Sequence, residues 1–567
     1  MKFKDYQYQR PNFESYQTDF QTALHQFEAA ESIEETKIPL EKLNHLRRNA
    51  DTMAKLSYIR HSINTKDAFY KKENAYWDNQ QPLYDHLHNQ FYRALLDSPF
   101  QTELRKIFPE TLFLLAKDQL RLLDDSVLAY KQEENEWISQ YIQLVASADL
   151  LFNGRKHTLS ELMAYFTSPD RFTRRKAQKV YEGFFIKHEQ RFDEIFDHLV
   201  TVRTKMARKL GFENYVAYGD IAMNRWSYNR EQIRRFRQFI LDEVVPQTQR
   251  LYKRQAERLG VKDFTYYDLP VFFSEGNPRP TGNAEELVQK AADMYHQLSE
   301  QTGQFFEILK EDQLMDLKSR PGKQSGGYCE FIDAYRVPFI FANFNQTSDD
   351  VDVLTHETGH AFQVYLSRWI NEPELTFPTS DTAEIHSMSM EFLTWPWMNE
   401  FFGEKEQQYR FAHLSSALQF LPYGALVDHF QEEVYTHPEW TPRQRKACWR
   451  SLEKQYCPEK CYRQSPALER GIYWFRQGHI FEVPFYYIDY TLAQVCAFQF
   501  WDRAIIQKDS AYWEDYLAIC QIGGTATFLE TVRLAHLDSP FDTQAMKAVI
   551  QQVMNYLNQQ SEEELLR

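Results

Sequence analysis

The chain has 567 residues, with 65 Lys and Arg against 80 Asp and Glu, a formal net charge of -15 and a pI near 5.7. An acidic chain lacks the electrostatic footprint of a nucleic-acid binder or of a protein held on an anionic membrane, its N-terminal stretch MKFKDYQYQRPNFESY has no apolar core of a secretory signal, and no run of about 18 apolar residues occurs that could span a bilayer. Six cysteines in this length suit free thiols in a reducing, cytoplasmic compartment.

Glycine is scarce, with 18 residues, while 34 Tyr and 43 Phe are spread through polar sequence. That balance suits many amphipathic helices with aromatic core faces. Residues 14 to 146 read as successive long helices; in PETLFLLAKDQLRLLDDSVLAYKQEENEWISQYIQLVA, Leu112, Leu115, Leu122 and Leu123 fall near one stripe. LLFNGRKHTL then interrupts them. Asn153-Gly154 is the turn signal of a short hairpin, Ser160 is expected to cap the next helix with Glu161 in its first turn, and Ser168 before Pro169 marks a further helix start. A soft boundary near residue 190 divides an N-terminal helical region, 1–190, from a catalytic region, 191–567, although the helical pattern runs through it.

Between about 258 and 285 the pattern changes: FTYYDLPVFF is short and β-branched or aromatic, and SEGNPRPTG after it is a loop. The zone SRPGKQSGGYCEF is also irregular. It lacks the G-x-x-x-x-G-K-[ST] spacing, and Gly326-Gly327 leads toward a strand rather than a helix, so a mobile loop is expected and not a phosphate cradle. YRVPFIFANFN has strand-like content. Helices dominate again from Ser348 to the end, and no internal repeat or heptad array is present.

The stretch VLTHETGHAF, residues 353–362, carries the chemistry. Ser348 is an expected N-cap, and Asp349 and Asp350 suit the positive end of a helix. A helix from there projects His356 and His360 from one face, one turn apart, within reach of two zinc bonds of ~2.0–2.1 Å. Glu357 lies beside them, able to touch a zinc-bound water without ligating the metal. Gly359 costs a helix interior ~1 kcal/mol against Ala, so another backbone is expected to approach it. An H-E-x-x-H match arises by chance in roughly a few per cent of chains this long, so a third ligand is decisive. Downstream, FPTSDTAEIHSMSMEFLTW reads as a second helix, capped by Thr379 or Ser380, with Glu384, Met388 and Glu391 on one face. Glu384 is the expected third ligand. Glu391, two turns on, is placed to orient a zinc-bound His through its other ring nitrogen. His386 points away from that face. Cys457 and Cys461 form C-x-x-x-C, but only Cys448 stands near to extend it, so free thiols are expected there.

HETGHAF followed by AEIHSMSMEF resembles the thimet oligopeptidase and oligoendopeptidase F metallopeptidases, most closely the bacterial branch that includes the Pz-peptidases. The block RQGHIFEVPFYYIDYTLAQ, residues 476–494, extends the resemblance, which covers roughly 318 to 494; the first 150 residues share only helical character and length. The resemblance implies a mostly α-helical, bilobed fold with a deep central channel and small β elements beside the zinc-site helices. It implies one zinc per chain, held by His356, His360 and Glu384, with Glu357 as the general base. It implies that His479, Tyr487 and Tyr490 contact the substrate, with His479 or Tyr490 stabilising the oxyanion. Read without the resemblance, FYYIDY is an aromatic core helix. The substrates implied are short unfolded oligopeptides, and FIFANF is expected to offer a sheet edge to which an extended peptide adds. Two other readings fit parts of the sequence. A helical carboxypeptidase or dipeptidyl carboxypeptidase shares the 23-residue interval from His360 to Glu384 but needs a cation for the free C-terminal carboxylate. A non-enzymatic helical interaction protein would carry the motif by chance.

Overall fold

The computed structural model describes residues 1–565, and the chain is 70% helical with only small sheets. The N-terminal helices begin where a side chain can accept from free backbone N–H groups. Asn12 Oδ1 takes the N–H of Ser15, and Asp67 takes those of Phe69 and Tyr70. Phe20, Leu43, Leu87, Phe91, Leu95 and Phe113 from these helices are buried together in a core of their own. A second, larger core includes Phe192, Tyr295, Phe305, Trp395, Leu418, Phe481 and Trp501. Two cores make two lobes. The first lobe's core also takes in Ile370 and Leu375, so the two lobes meet where the chain leaves the helix Asp349–Ser367. Residue 190 lies at the start of the helix Glu189–Lys209, and the larger core includes residues on both sides of it. Among the described residues no helix is long and apolar enough to cross a membrane.

The hairpin at Asn153-Gly154 forms as its dipeptide requires. Both residues have positive φ, 48° and 77°, and join β1 (Leu150–Phe152) to β2 (Arg155–His157). Two expected caps are taken by neighbours instead. Thr158, not Ser160, caps the helix Leu159–Met163, in a reciprocal pair with Glu161; Ser160 donates to the carbonyl of Asn343 at 2.9 Å. Asp170, not Ser168, caps the helix Arg171–Lys187, where a carboxylate answers the helix dipole better than a hydroxyl. FTYYDLPVFF forms turns rather than a strand, because the buried Asp268 carboxylate accepts from the Thr265 N–H and from Arg171 and Arg174.

A three-stranded sheet lies beside the helix Asp349–Ser367. Its order is β3 (Met315–Lys318), β5 (Val337–Phe344), β4 (Tyr328–Ile332), with β3 parallel and β4 antiparallel to β5. The expectation that FIFANF is an edge is therefore corrected. It is the central strand, and its run from Pro338 to Ala342 is buried as a two-sided core strand demands. The two edges of the sheet are β3 and β4. The loop before β4 is anchored: the buried Lys323 ammonium donates to Asp316 Oδ1 at 2.7 Å and to the carbonyls of Lys318 and Ala342. Its charge is used inside the protein, which fits the absence of phosphate-loop spacing.

Candidate active site

Three elements converge on one point. Ser348 opens the helix Asp349–Ser367 with helical backbone angles and makes no side-chain cap. Asp350, inside the first turn, instead braces the incoming loop, accepting the N–H groups of Asn345 and Gln346, both at 2.8 Å. The second element is the helix Ser380–Leu393, almost wholly buried. Gly359 is where the two cross. A Cβ there would stand 2.6 Å from Ser387 Cα and 2.7 Å from the His386 carbonyl oxygen, so the helical glycine has the packing reason its cost required. The third element is the helix Tyr487–Trp501, apolar on all sides and buried between its neighbours.

This close crossing brings His356, His360 and Glu384 together. Their potential ligand atoms lie within 4.8 Å of one another. Glu384 Oε2 is 3.2 Å from His356 Nε2 and 3.4 Å from His360 Nε2. Two donors at ~2.0–2.1 Å from a tetrahedral ion lie about 3.3–3.4 Å apart, so the spacing and the N,N,O donor set suit a zinc ion. Electrostatics agree. Burial opposes charge on His356, yet the hydrogen bonds to Glu384 and Glu391 hold its pKa well above the ordinary histidine value. Burial likewise opposes ionisation of Glu384, but His360 and His356 hold its pKa well below the usual carboxylate range. The pocket is therefore rich in negative charge and poised for a cation.

Glu357 is buried, with Oε2 lacking any hydrogen-bond partner. Burial pushes its pKa up. Its Oε1 lies under Gly327, where a Cβ would sit 3.1 Å away. Glu391 lies against His356. Its Oε1 is 2.7 Å from His356 Nδ1, which leaves Nε2 free to face the metal position. The chain continues outward: Glu391 Oε2 is 2.8 Å from His413 Nε2, and His413 Nδ1 accepts from the indole N–H of Trp395 at 2.9 Å. That indole fixes the proton of His413 on Nε2, aimed at Glu391.

In the third block, Tyr490 and His479 meet. Tyr423 O–H donates to Gln477 Oε1, Gln477 Nε2 to His479 Nδ1 at 3.0 Å, and His479 Nε2 lies 3.1 Å from Tyr490 Oη. Burial lowers the His479 pKa to about 4, so the ring is neutral at pH 7. With Nδ1 accepting, Nε2 carries the proton and donates to Tyr490, which leaves the Tyr490 O–H free to donate. The Tyr487 ring packs against His479, Phe420 and Tyr423. Tyr486 reaches Glu384 instead, donating to Oε1 at 2.6 Å, while Ser387 Oγ holds Oε2 at 2.8 Å. Sequence reasoning missed Tyr486 and His413. The first had a signal: Tyr486 and Tyr490 are i and i+4 and share a helix face, whereas Tyr487 is turned about 100° away. His413 had none, since only the fold brings it to Glu391. His386 is buried on the far side with both ring nitrogens unpartnered. Among the described residues His356, His360 and Glu384 form the one cluster with metal-binding spacing, and Cys448, Cys457 and Cys461 are free.

The fold and this site are those of a helical metalloendopeptidase. Residues 3–123 match the peptidase M3 N-terminal domain and residues 164–550 match peptidase family M3. The chain belongs to peptidase family M3. It is 22% identical over 457 residues to an oligoendopeptidase F homolog of Lactococcus lactis subsp. lactis strain IL1403, covering 76% of this chain and 72% of that one. It superposes on a solved structure of Pz peptidase A with an inhibitor at 46% identity and a TM-score of 0.98, covering 99% of this chain and 100% of that one. It superposes on a structure from Bacillus anthracis strain Ames, provisionally named oligoendopeptidase F, at 46% identity and a TM-score of 0.92, covering 98% of each.

Proposed function

We propose that this protein is a zinc-dependent oligoendopeptidase that cleaves short unfolded peptides in the cleft between its lobes. The observation that carries the reading is the buried His356–His360–Glu384 donor set beside a carboxylate oxygen of Glu357 that has no partner. A zinc ion held by these three residues would polarise the scissile carbonyl and acidify water. Glu357 accepts a proton from the attacking water and delivers it to the leaving amine. The free O–H of Tyr490, set by His479, donates to the developing oxyanion. Tyr486 and Ser387 orient Glu384, and Glu391 orients His356. β4 offers the sheet edge along which an extended peptide adds a strand.

The test is product mapping by mass spectrometry on a C-terminally amidated peptide, with and without chelator. Internal cleavage that chelator abolishes and zinc restores is the expected result. Cleavage that requires a free C-terminal carboxylate would instead identify a carboxypeptidase. Turnover that persists after the metal is removed would overturn the reading.

A further inference from the structure

A cavity of about 300 Å³ adjoins the candidate site. Two of its lining residues belong to the catalytic surroundings: Gly327, which covers Glu357, and His479, which holds Tyr490. Three residues beyond His479, on the same short helix Gly478–Glu482, Glu482 also lines it. This carboxylate makes no hydrogen bond and no ion pair among the described residues. Glu482 is only partly exposed, and an acid drawn away from water is costly to ionise without a partner. Burial alone pushes the Glu482 pKa up to about 7. The neighbouring walls are aromatic. Tyr58 and Tyr141 line the same space, and burial first, then the nearby Glu482 charge, raises the pKa of both. Arg476 lines the cavity too but is occupied elsewhere: its guanidinium lies 5.2 Å from the Tyr181 ring and 5.0 Å from the Tyr473 ring, and it donates to the Tyr473 hydroxyl.

An unpartnered acid in a cavity with two tyrosines in its wall, opening beside the candidate site, has the chemistry of a cation site. We infer that Glu482 forms a substrate subsite for a positively charged nitrogen of the peptide, a Lys or Arg side chain or the terminal α-ammonium. The inference rests on the peptidase reading above and adds the substrate class that this side of the cleft selects. A cation in the cavity supplies the partner that Glu482 lacks, and its aliphatic stem would lie along the tyrosine rings.

The experiment compares kcat/KM for paired peptides in which Lys replaces norleucine at each position near the scissile bond. Each pair is made with a free and with an acetylated N-terminus. The expected result is one position, or the free terminus, at which the cation raises kcat/KM about tenfold or more. In Glu482→Gln the cationic-to-neutral ratio at that position falls to about one, and in Glu482→Lys it falls below one. Zinc content and melting temperature are measured for both variants, so that a folding defect is not read as lost specificity. Cleavage of both members of every pair at equal rates by the unmodified protein would overturn the subsite and leave the peptidase reading intact. So would a preference that survives in both variants. Zinc-loaded protein that cleaves no peptide would overturn the peptidase reading itself, and this inference with it.

Discussion

Gly359→Ala is the sharpest probe of how the fold builds the site. The added methyl would lie 2.6 Å from Ser387 Cα and 2.7 Å from the His386 carbonyl oxygen. Carbon atoms in contact prefer about 3.5–4.0 Å, so the two helices must separate by about 1 Å. That opening acts directly on the distances of 3.2 and 3.4 Å from Glu384 to His356 and His360, since Glu384 lies on one helix and the histidines on the other. Metal bonds tolerate only about ±0.2 Å. Stability moves less than metal affinity. Overpacking costs ~1–3 kcal/mol, and the better helix propensity of Ala returns ~1 kcal/mol, leaving a net loss of up to ~2 kcal/mol. In a chain this large that shifts the melting temperature by only a few degrees. Zinc retained against a competing chelator is therefore the informative assay, and the expected outcome is at least about a tenfold weaker affinity. A variant that keeps both its zinc affinity and its melting temperature would refute the account of this crossing.

His356→Ala and His360→Ala should each lose most bound zinc, read by metal analysis of the purified protein. Glu357→Gln should keep zinc while kcat falls ~10²–10⁴-fold, because a carboxamide cannot take the water proton; near-normal turnover in a preparation free of other peptidases would remove Glu357 from the base role. Tyr490→Phe and Tyr486→Phe should differ in kind. The first should lower kcat ~10²–10³-fold with KM nearly unchanged, and the second should weaken zinc binding ~10–100-fold through Glu384. Reversal of that pattern would exchange their roles. Glu391→Gln should also weaken zinc ~10–100-fold, since the amide cannot accept from both His356 and His413; zinc affinity equal to the unmodified protein would show that the pair at 2.7 Å does not orient the ligand.

The pairing of His356 with His360 was legible because it is local. The i, i+4 spacing of His356 and His360 follows from helix geometry alone, and the helical character of the chain followed from its scarce glycine and scattered aromatics. Gly359 announced an approaching backbone without saying whose, and only the fold supplied Ser387 and His386. Caps were less legible: Ser160 and Ser168 had suitable hydroxyls, but Thr158 and Asp170 made the bonds, and the helix after Ser348 has no side-chain cap, since competing acceptors a few residues apart are decided by backbone geometry. The strand FIFANF was recognisable by composition, while its central position was not, because pairing partners come from distant residues. The same reason hid His413, 22 residues from Glu391, and separated Tyr486 from Tyr487 in role. What the sequence by itself determined is the chemistry that one helix turn can hold. The tertiary structure decided which tyrosine meets Glu384, which histidine steadies Glu391 and which acid is left without a partner, because each depends on contacts between elements that local periodicity does not encode.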